Sequence, residues 1–174
     1  MFDWTAAAET LYSISKKQIA QFLRGSEKSD VYGFGFFCDP DGFVYLVANT
    51  EHYHMSSLRQ YQARFGPTAP EVFRWDIGNW KYPGGLFPSS SAEQEAFDHA
   101  WQEYQQQLMQ MDNERKQEML EDVCSEVLAR LVQEGSLSGI PSLKGFTIQG
   151  PDDPQETVLE KKKRFDNVFP GKHA

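Results

Sequence analysis

The sequence has few cysteines and no long apolar run. Cys38 and Cys124 are the only two cysteines, and they lie far apart without a C-x-x-C spacing. This spacing is not that of a disulfide framework or a structural zinc site, and it favours a reducing compartment. No stretch approaches the roughly 18 apolar residues that a membrane-spanning helix needs, and the first residues do not resemble an export signal. We therefore expect a cytoplasmic protein with no membrane association.

The chain also lacks an excess of basic residues. It has 17 Lys and Arg against 25 Asp and Glu, which gives a formal net charge of -8. Nucleic-acid binding draws its affinity from clustered cations that release counterions from phosphates, so this composition opposes it. The one basic cluster, 161–164, follows Glu156 and Glu160 at spacings typical of a solvated helix face. An acidic surface instead favours basic protein partners by steering their encounter.

No group of residues has the spacing of a catalytic or metal site. The nearest approach is Glu51 with His52 and His54. On a helix, side chains two positions apart point about 200° away from each other, so the two histidines do not share one ion there. Asp39 and Asp41 are explained by turn chemistry. We therefore expect no catalytic residues, no metal and no cofactor.

The spacing of apolar residues predicts a series of helices. Ala8, Leu11, Ser15, Ile19 and Phe22 recur at three- and four-residue intervals, and a second stripe contains Met55, Leu58, Tyr61 and Phe65. Asn49-Thr50 can cap the helix that follows the hairpin, and Ser90 and Ser91 each begin a capping box ahead of a longer stripe. The predicted helices cover residues 4–24, 51–65, 90–111, 113–134 and 154–168.

A β-hairpin lies between the first two helices. Residues 31–37 alternate as a strand does, and Asp39-Pro40-Asp41-Gly42 has the residue types of a tight turn. The return strand, 43–48, is apolar on both faces, which is typical of a central strand. Short strands are further predicted at 72–75 and 145–149. The chain is thus predicted to be a single α+β domain, 1–174. It has a small, mostly antiparallel sheet around a central hairpin, packed against several helices that include a long pair in the carboxy-terminal half.

The irregular stretch at 68–88 is the best candidate for contact with a partner. It contains five aromatic residues and six Gly or Pro residues. Trp, Tyr and Arg dominate binding hot spots, but aromatic loops also fold back to cover the edge of a core, and both interpretations stay open here. The candidate partner-binding residues are Arg74, Trp75, Asp76, Trp80 and Tyr82, together with Glu51 at the start of the second helix.

Several short motifs resemble those of a known family. They are carried by Gly33, Phe34, Ala48, Asn49, Thr50, Glu51, Arg74, Trp75 and Trp80. In this order, and followed by two long helices, they resemble the bacterial family catalogued as domain of unknown function 4303 over nearly the whole chain. The resemblance implies a component of a polymorphic toxin system, in which a small acidic cytoplasmic protein binds a cognate toxin.

The function expected from this resemblance is that of an immunity protein. Such a protein neutralises its cognate toxin domain by stoichiometric binding and is not an enzyme. Two alternatives come from other classes. One is a metal-dependent hydrolase that uses Glu51, His52, His54 and Asp76, and the other is an adaptor protein with a partner that is not a toxin.

Overall fold

The computed structural model describes residues 2–150, together with Thr157 and Glu160. Apart from those two positions, the predicted last helix, 154–168, lies outside the described residues, as does the basic cluster 161–164. Among residues 2–150, no helix combines the length and the apolar character that crossing a membrane requires. The helices are α1 (Trp4–Phe22), α2 (Glu51–Phe65), α3 (Ala92–Leu108) and α4 (Asn113–Gln133), and the strands are β1 (Val31–Cys38), β2 (Val44–Thr50) and β3 (Gly145–Gln149).

The signals that begin the helices and turn the hairpin are local, and they are confirmed. The Thr50 side chain accepts a hydrogen bond from the Tyr53 N–H at 3.2 Å, and Ser91 does the same for the Gln94 N–H at 3.1 Å. In the hairpin turn, the Gly42 N–H donates to the Asp39 carbonyl at 2.9 Å, with φ of +83° at Gly42. That φ is accessible to glycine at little cost, which explains the residue type.

The three strands form a mixed sheet in the order β2-β1-β3. β1 pairs antiparallel with β2, placing Phe37 opposite Tyr45, and parallel with β3, placing Phe36 opposite Ile148. The strand expected at 145–149 is confirmed. β2 was expected at the centre of the sheet but lies at its edge, bridged on its outer side by the Tyr82 N–H, which donates to the Ala48 carbonyl at 3.1 Å.

One face of the sheet is covered by three helices. Its strands contribute alternating buried residues, among them Phe34, Phe36, Leu46 and Ile148, to the larger core. The two long carboxy-terminal helices were expected to pack as a pair, but each packs against α1, which contacts both. The Cys38 and Cys124 sulfurs lie 3.5 Å apart in this core as free thiols, so their distance in sequence did not keep them apart in space.

The other face is covered by residues 71–82, which we call the aromatic loop. The strand predicted at 72–75 is wrong, because Glu71–Arg74 forms a 3-10 helix instead. A second cluster of buried residues lies beneath the loop. Its members are Tyr32, Val47, Val72, Trp75, Ile77 and Trp80.

Helix α2 packs beside the aromatic loop and buries little. His54 is its only buried residue. The stripe expected to face a core is largely open, since Met55 is 45% exposed and Phe65 is 62% exposed. The physical reason is position, because α2 continues directly from β2, which lies at the edge of the sheet.

Candidate partner-binding site

The aromatic loop lies directly on the backbone of the sheet. A Cβ atom added at Gly33 would lie 2.9 Å from Cη2 of Trp80, and one added at Gly145 would lie 2.8 Å from Cη2 of Trp75. The two glycines therefore leave the space that the indole rings occupy. Trp75 is 7% exposed and Trp80 is 1% exposed, so both rings belong to the core of this face.

Hydrogen bonds to β1 and β2 hold the loop in one position. The Tyr32 hydroxyl donates to the Arg74 carbonyl at 2.6 Å, and the Trp80 Nε1–H donates to the same carbonyl at 3.0 Å. The Asn49 side chain donates to the Tyr32 hydroxyl at 2.9 Å and accepts from the Lys81 N–H at 3.1 Å. Burial raises the pKa of Tyr32, so its hydroxyl keeps the proton that it donates.

A second buried amide fixes the loop from β3. The Gln149 side-chain NH₂ donates to the Trp75 carbonyl, and its oxygen accepts from the Ile77 N–H at 3.1 Å. Gln149 is 3% exposed. Buried polar groups without partners are costly, and these bonds satisfy loop backbone groups that no regular strand pairs. The loop is therefore anchored from all three strands.

A partly exposed ionic cluster lies beside the anchored loop. Glu51 Oε1 is 2.5 Å from Arg74 Nη2 and 2.7 Å from Lys144 Nζ. The Arg74 guanidinium lies 4.0 Å above the centre of the Tyr32 ring, within the range of a cation–π interaction. We call Tyr32, Glu51, Arg74 and Lys144 the Glu51 cluster. The side chains of Glu51, Arg74 and Lys144 are 27%, 29% and 57% exposed, so the cluster meets solvent while its base is buried.

The charges of the cluster shift the pKa of Glu51 and of the neighbouring His54. Burial by itself raises the pKa of Glu51, but the hydrogen bonds from Lys144 and Arg74 outweigh it and lower that pKa below its usual value. His54 packs edge-on against Tyr32 with ring centroids 5.6 Å apart. Burial and the positive charge of Arg74 lower the pKa of His54. The cluster thus combines a carboxylate with two cations, and the neutral imidazole of His54 lies beside it at pH 7.

The six predicted partner-binding residues do not form one surface. Glu51 and Arg74 meet in the Glu51 cluster, whereas Trp75 and Trp80 lie beneath the loop. Asp76 caps the turn Ile77–Asn79, with Oδ1 accepting from the Gly78 N–H at 3.0 Å. Tyr82 packs at the edge of β2 with its ring 5.8 Å from that of Phe22.

Sequence reasoning missed two members of the cluster. Tyr32 was recognised only as a strand residue, although it precedes the glycine that admits Trp80. Lys144 has no local signal, because it reaches Glu51 only through the parallel pairing of β3 with β1. Its own N–H also donates to the Tyr32 carbonyl at 2.7 Å, which places it at the cluster.

The residues of the alternative metal site do not converge. Within the described part of the chain, no three His, Cys, Asp or Glu side chains are grouped so that they could hold a metal ion. His52 is exposed while His54 is buried, as expected for helical positions two apart. This geometry gives no support to a hydrolase that uses Glu51, His52, His54 and Asp76.

Comparison with known proteins identifies one family. The model of the family described as Domain of unknown function (DUF4303) matches residues 11–163, so the chain belongs to this family. The match covers every residue of the Glu51 cluster and of the aromatic loop. No curated protein and no solved structure matches the chain.

Proposed function

We propose that this member of the DUF4303 family is an immunity-type protein, which binds a cognate bacterial toxin domain and neutralises it by stoichiometric association. The observation that carries the proposal is the Glu51 cluster, in which partly exposed Arg, Glu and Lys side chains lie over the buried Tyr32 ring and are already ordered in the free protein. Arg is among the residues that dominate binding hot spots.

The rigidity of the cluster favours tight binding. Ordering a flexible side chain on association costs about 0.5–1.5 kcal/mol. Arg74 is already fixed by Glu51 and by the Tyr32 ring beneath it, and its carbonyl is held by two hydrogen bonds. A partner that contacts Arg74 therefore meets a side chain that needs little further ordering.

Charge and exposure define the roles of the candidate residues. The net charge of -8 favours encounter with a basic toxin domain. We assign direct contact to Glu51, Arg74 and Lys144 at the cluster and to Asp76, two residues further along the loop. Trp75 and Trp80 act on binding indirectly, by holding the loop in place.

We propose the cytoplasm as the place of action, because the adjacent thiols of Cys38 and Cys124 stay reduced there.

The direct test uses the toxin domain encoded next to the gene for this protein. Isothermal titration calorimetry with the two purified proteins is expected to give one-to-one binding, and co-expression is expected to protect cells from the toxin. Absence of both binding and protection would contradict the proposal.

A matched pair of variants tests whether the Glu51 cluster is the contact. Arg130 also stacks on a tyrosine, 3.7 Å above the ring centre of Tyr12, and it pairs with Glu9 at 2.6 Å on the helical side of the molecule. We expect Arg74→Ala to weaken toxin binding at least about 10-fold, as loss of an interface arginine does, and Arg130→Ala to leave it unchanged. Equal effects of the two variants would place the contact elsewhere.

A further inference from the structure

A row of aromatic side chains lies at the end of the sheet opposite the Glu51 cluster. The Tyr45 ring stacks between Phe37, with centroids 6.4 Å apart, and Phe43, with centroids 6.0 Å apart. All three rings are only partly buried. Tyr32 and Phe37 are five positions apart on β1, or roughly 16 Å along the strand, so this row is separate from the Glu51 cluster. We call Phe37, Phe43 and Tyr45 the hairpin ladder.

Carboxylates from two elements lie beside the hairpin ladder. Asp39 and Asp41 come from the hairpin turn, and Glu95 and Asp98 come from α3. Phe43, Glu95 and Asp98 line an open hollow of about 350 Å³, whose other lining residues are His99, Gln102 and Gln105. In the part of the chain that the structure describes, none of the four carboxylates pairs with a lysine or an arginine.

The negative charge acts on the ladder itself. Burial is the main cause that raises the pKa of Tyr45, and the carboxylates of Asp39 and Asp98 raise it further. Both carboxylates are therefore close enough to the ladder for their field to reach the Tyr45 hydroxyl. The same carboxylates that disfavour the negatively charged form of Tyr45 would attract a cation that lies on these rings.

The surface is held rigidly. The Trp101 Nε1–H donates to the Gly42 carbonyl at 2.9 Å, in a buried hydrogen bond that ties the hairpin turn to α3. The Asp39 N–H donates to the Phe43 carbonyl at 2.8 Å, and Asp39 Oδ1 accepts from the Asp41 N–H at 2.8 Å. The rings and the turn carboxylates are thus ordered before any ligand arrives.

We propose that the hairpin ladder and its four carboxylates dock an arginine-rich segment of a partner protein. Guanidinium groups stack on aromatic faces and form paired hydrogen bonds with carboxylates, and this surface offers both side by side. Arginine fits better than lysine because its planar group stacks flat and is less strongly hydrated. The proposal is independent of the toxin hypothesis, because it concerns a different surface and any partner that carries such a segment.

The test uses the full chain and three fluorescein-labelled peptides, in which glycine alternates with arginine, lysine or glutamate. Fluorescence anisotropy is expected to show saturable binding of the arginine peptide, several-fold weaker binding of the lysine peptide and none of the glutamate peptide. Phe43→Ser is expected to weaken binding of the arginine peptide by about 3- to 30-fold, the range of one cation–π contact. Asp98→Asn is expected to weaken it by about 2- to 5-fold, the range of one exposed ion pair.

Two control variants match the two tested. Phe65→Ser removes an exposed aromatic ring from the end of α2, and Glu118→Gln removes an exposed carboxylate from α4. Both are expected to keep the affinity of the unmodified protein. Equal binding of the arginine and lysine peptides would overturn the proposal. So would unchanged affinity in a folded Asp98→Asn protein, whose melting temperature serves as the check on folding.

A photo-cross-linking experiment identifies the occupant of the surface. The substitution Tyr45→p-benzoylphenylalanine places a reactive group in the middle of the ladder. Cross-links to the arginine peptide support the proposal. Cross-links that map to residues 151–174 of the same chain would overturn it, because the protein would then cover this surface itself.

Discussion

The two faces of the sheet are built on different principles. The face toward α1, α3 and α4 is closed mainly by apolar side chains, as the contacts of Phe34, Phe36 and Leu46 illustrate. Hydrogen bonds such as that from Trp101 to the Gly42 carbonyl add to this packing. The face toward the aromatic loop is closed by buried hydrogen bonds from Asn49 and Gln149 as well as by indole rings. Apolar packing tolerates exchange of similar side chains, whereas a hydrogen-bonded loop requires particular ones. The loop face also carries the Glu51 cluster, so the more specific construction supports the candidate site.

The largest expected effect comes from removing the main cover of the loop face. Trp80→Ala should lower the free energy of unfolding by about 3–5 kcal/mol, because it empties a site that is almost fully buried and removes the bond to the Arg74 carbonyl. Urea denaturation measures this loss. Phe65→Ala, at an exposed aromatic of α2, is the control and should change stability by less than about 0.5 kcal/mol. A loss below about 1 kcal/mol for Trp80→Ala would show that the loop is not part of the folded core.

Removing a buried polar group from the loop face should also destabilise the folded protein. Gln149→Leu keeps a side chain of similar size but leaves the buried Ile77 N–H without its acceptor, at a cost of about 1–3 kcal/mol. Hydrogen exchange should show lost protection at Ile77 before any change in α1 or α4. If Ile77 stayed protected in this variant, the anchoring role of Gln149 would be disproved.

The matching change on the helical face should raise the stability of the protein. Ser15 is fully buried, and its hydroxyl is the one buried side-chain polar atom without a hydrogen-bond partner among the described residues. Ser15→Ala removes the unpaired group and improves helix propensity, so we expect stabilisation of up to about 1 kcal/mol. Thermal denaturation measures the change. A clear loss of stability would mean that the helical face depends on directional bonds as the loop face does.

The smallest expected effect is a pH dependence from His54. Its pKa is lowered from the usual 6.5 in the folded protein, so near pH 6 the unfolded chain binds more protons than the folded one. The stability that His54 contributes is therefore present above pH 6.5 and lost as the pH falls through its folded pKa. His54→Gln should flatten this dependence.

An NMR titration measures the pKa of His54 directly. Arg74→Ala should raise that pKa toward its ordinary value, because the Arg74 charge is one cause of the shift. A folded-state pKa of 6.5 or more in the unmodified protein would contradict the burial of His54 against Tyr32 and Phe73.

The parts of the fold that the sequence predicted well depend on neighbouring residues. The caps at Thr50 and Ser91 and the turn that ends at Gly42 each require only a few residues in the right order, and all three are confirmed. The wrong predictions concern burial and strand pairing. Apolar spacing marked α2 as a packed helix and 72–75 as a strand, but spacing alone does not say whether another element covers a stripe or pairs with a strand.

The candidate site was only partly predictable for the same reason. Glu51 and Arg74 were identified from their motifs, and they do form an ion pair. The interpretation of Trp80 as a contact residue or as a cover depended on what lies beneath it, which is the bare backbone of Gly33. Lys144 immediately precedes β3, far along the chain from Glu51, and no local sequence pattern predicts that the two residues meet.

The sequence by itself determined the α+β class, the positions of α1 to α4, the hairpin turn and the acidic charge, because these follow from propensities, caps and composition. The tertiary structure alone decided that β1 lies at the centre of the sheet and that the aromatic loop is anchored by Asn49 and Gln149. It also decided that Tyr32, Glu51, Arg74 and Lys144 meet. These features arise from contacts between residues distant in sequence, and such contacts form only when the whole chain packs.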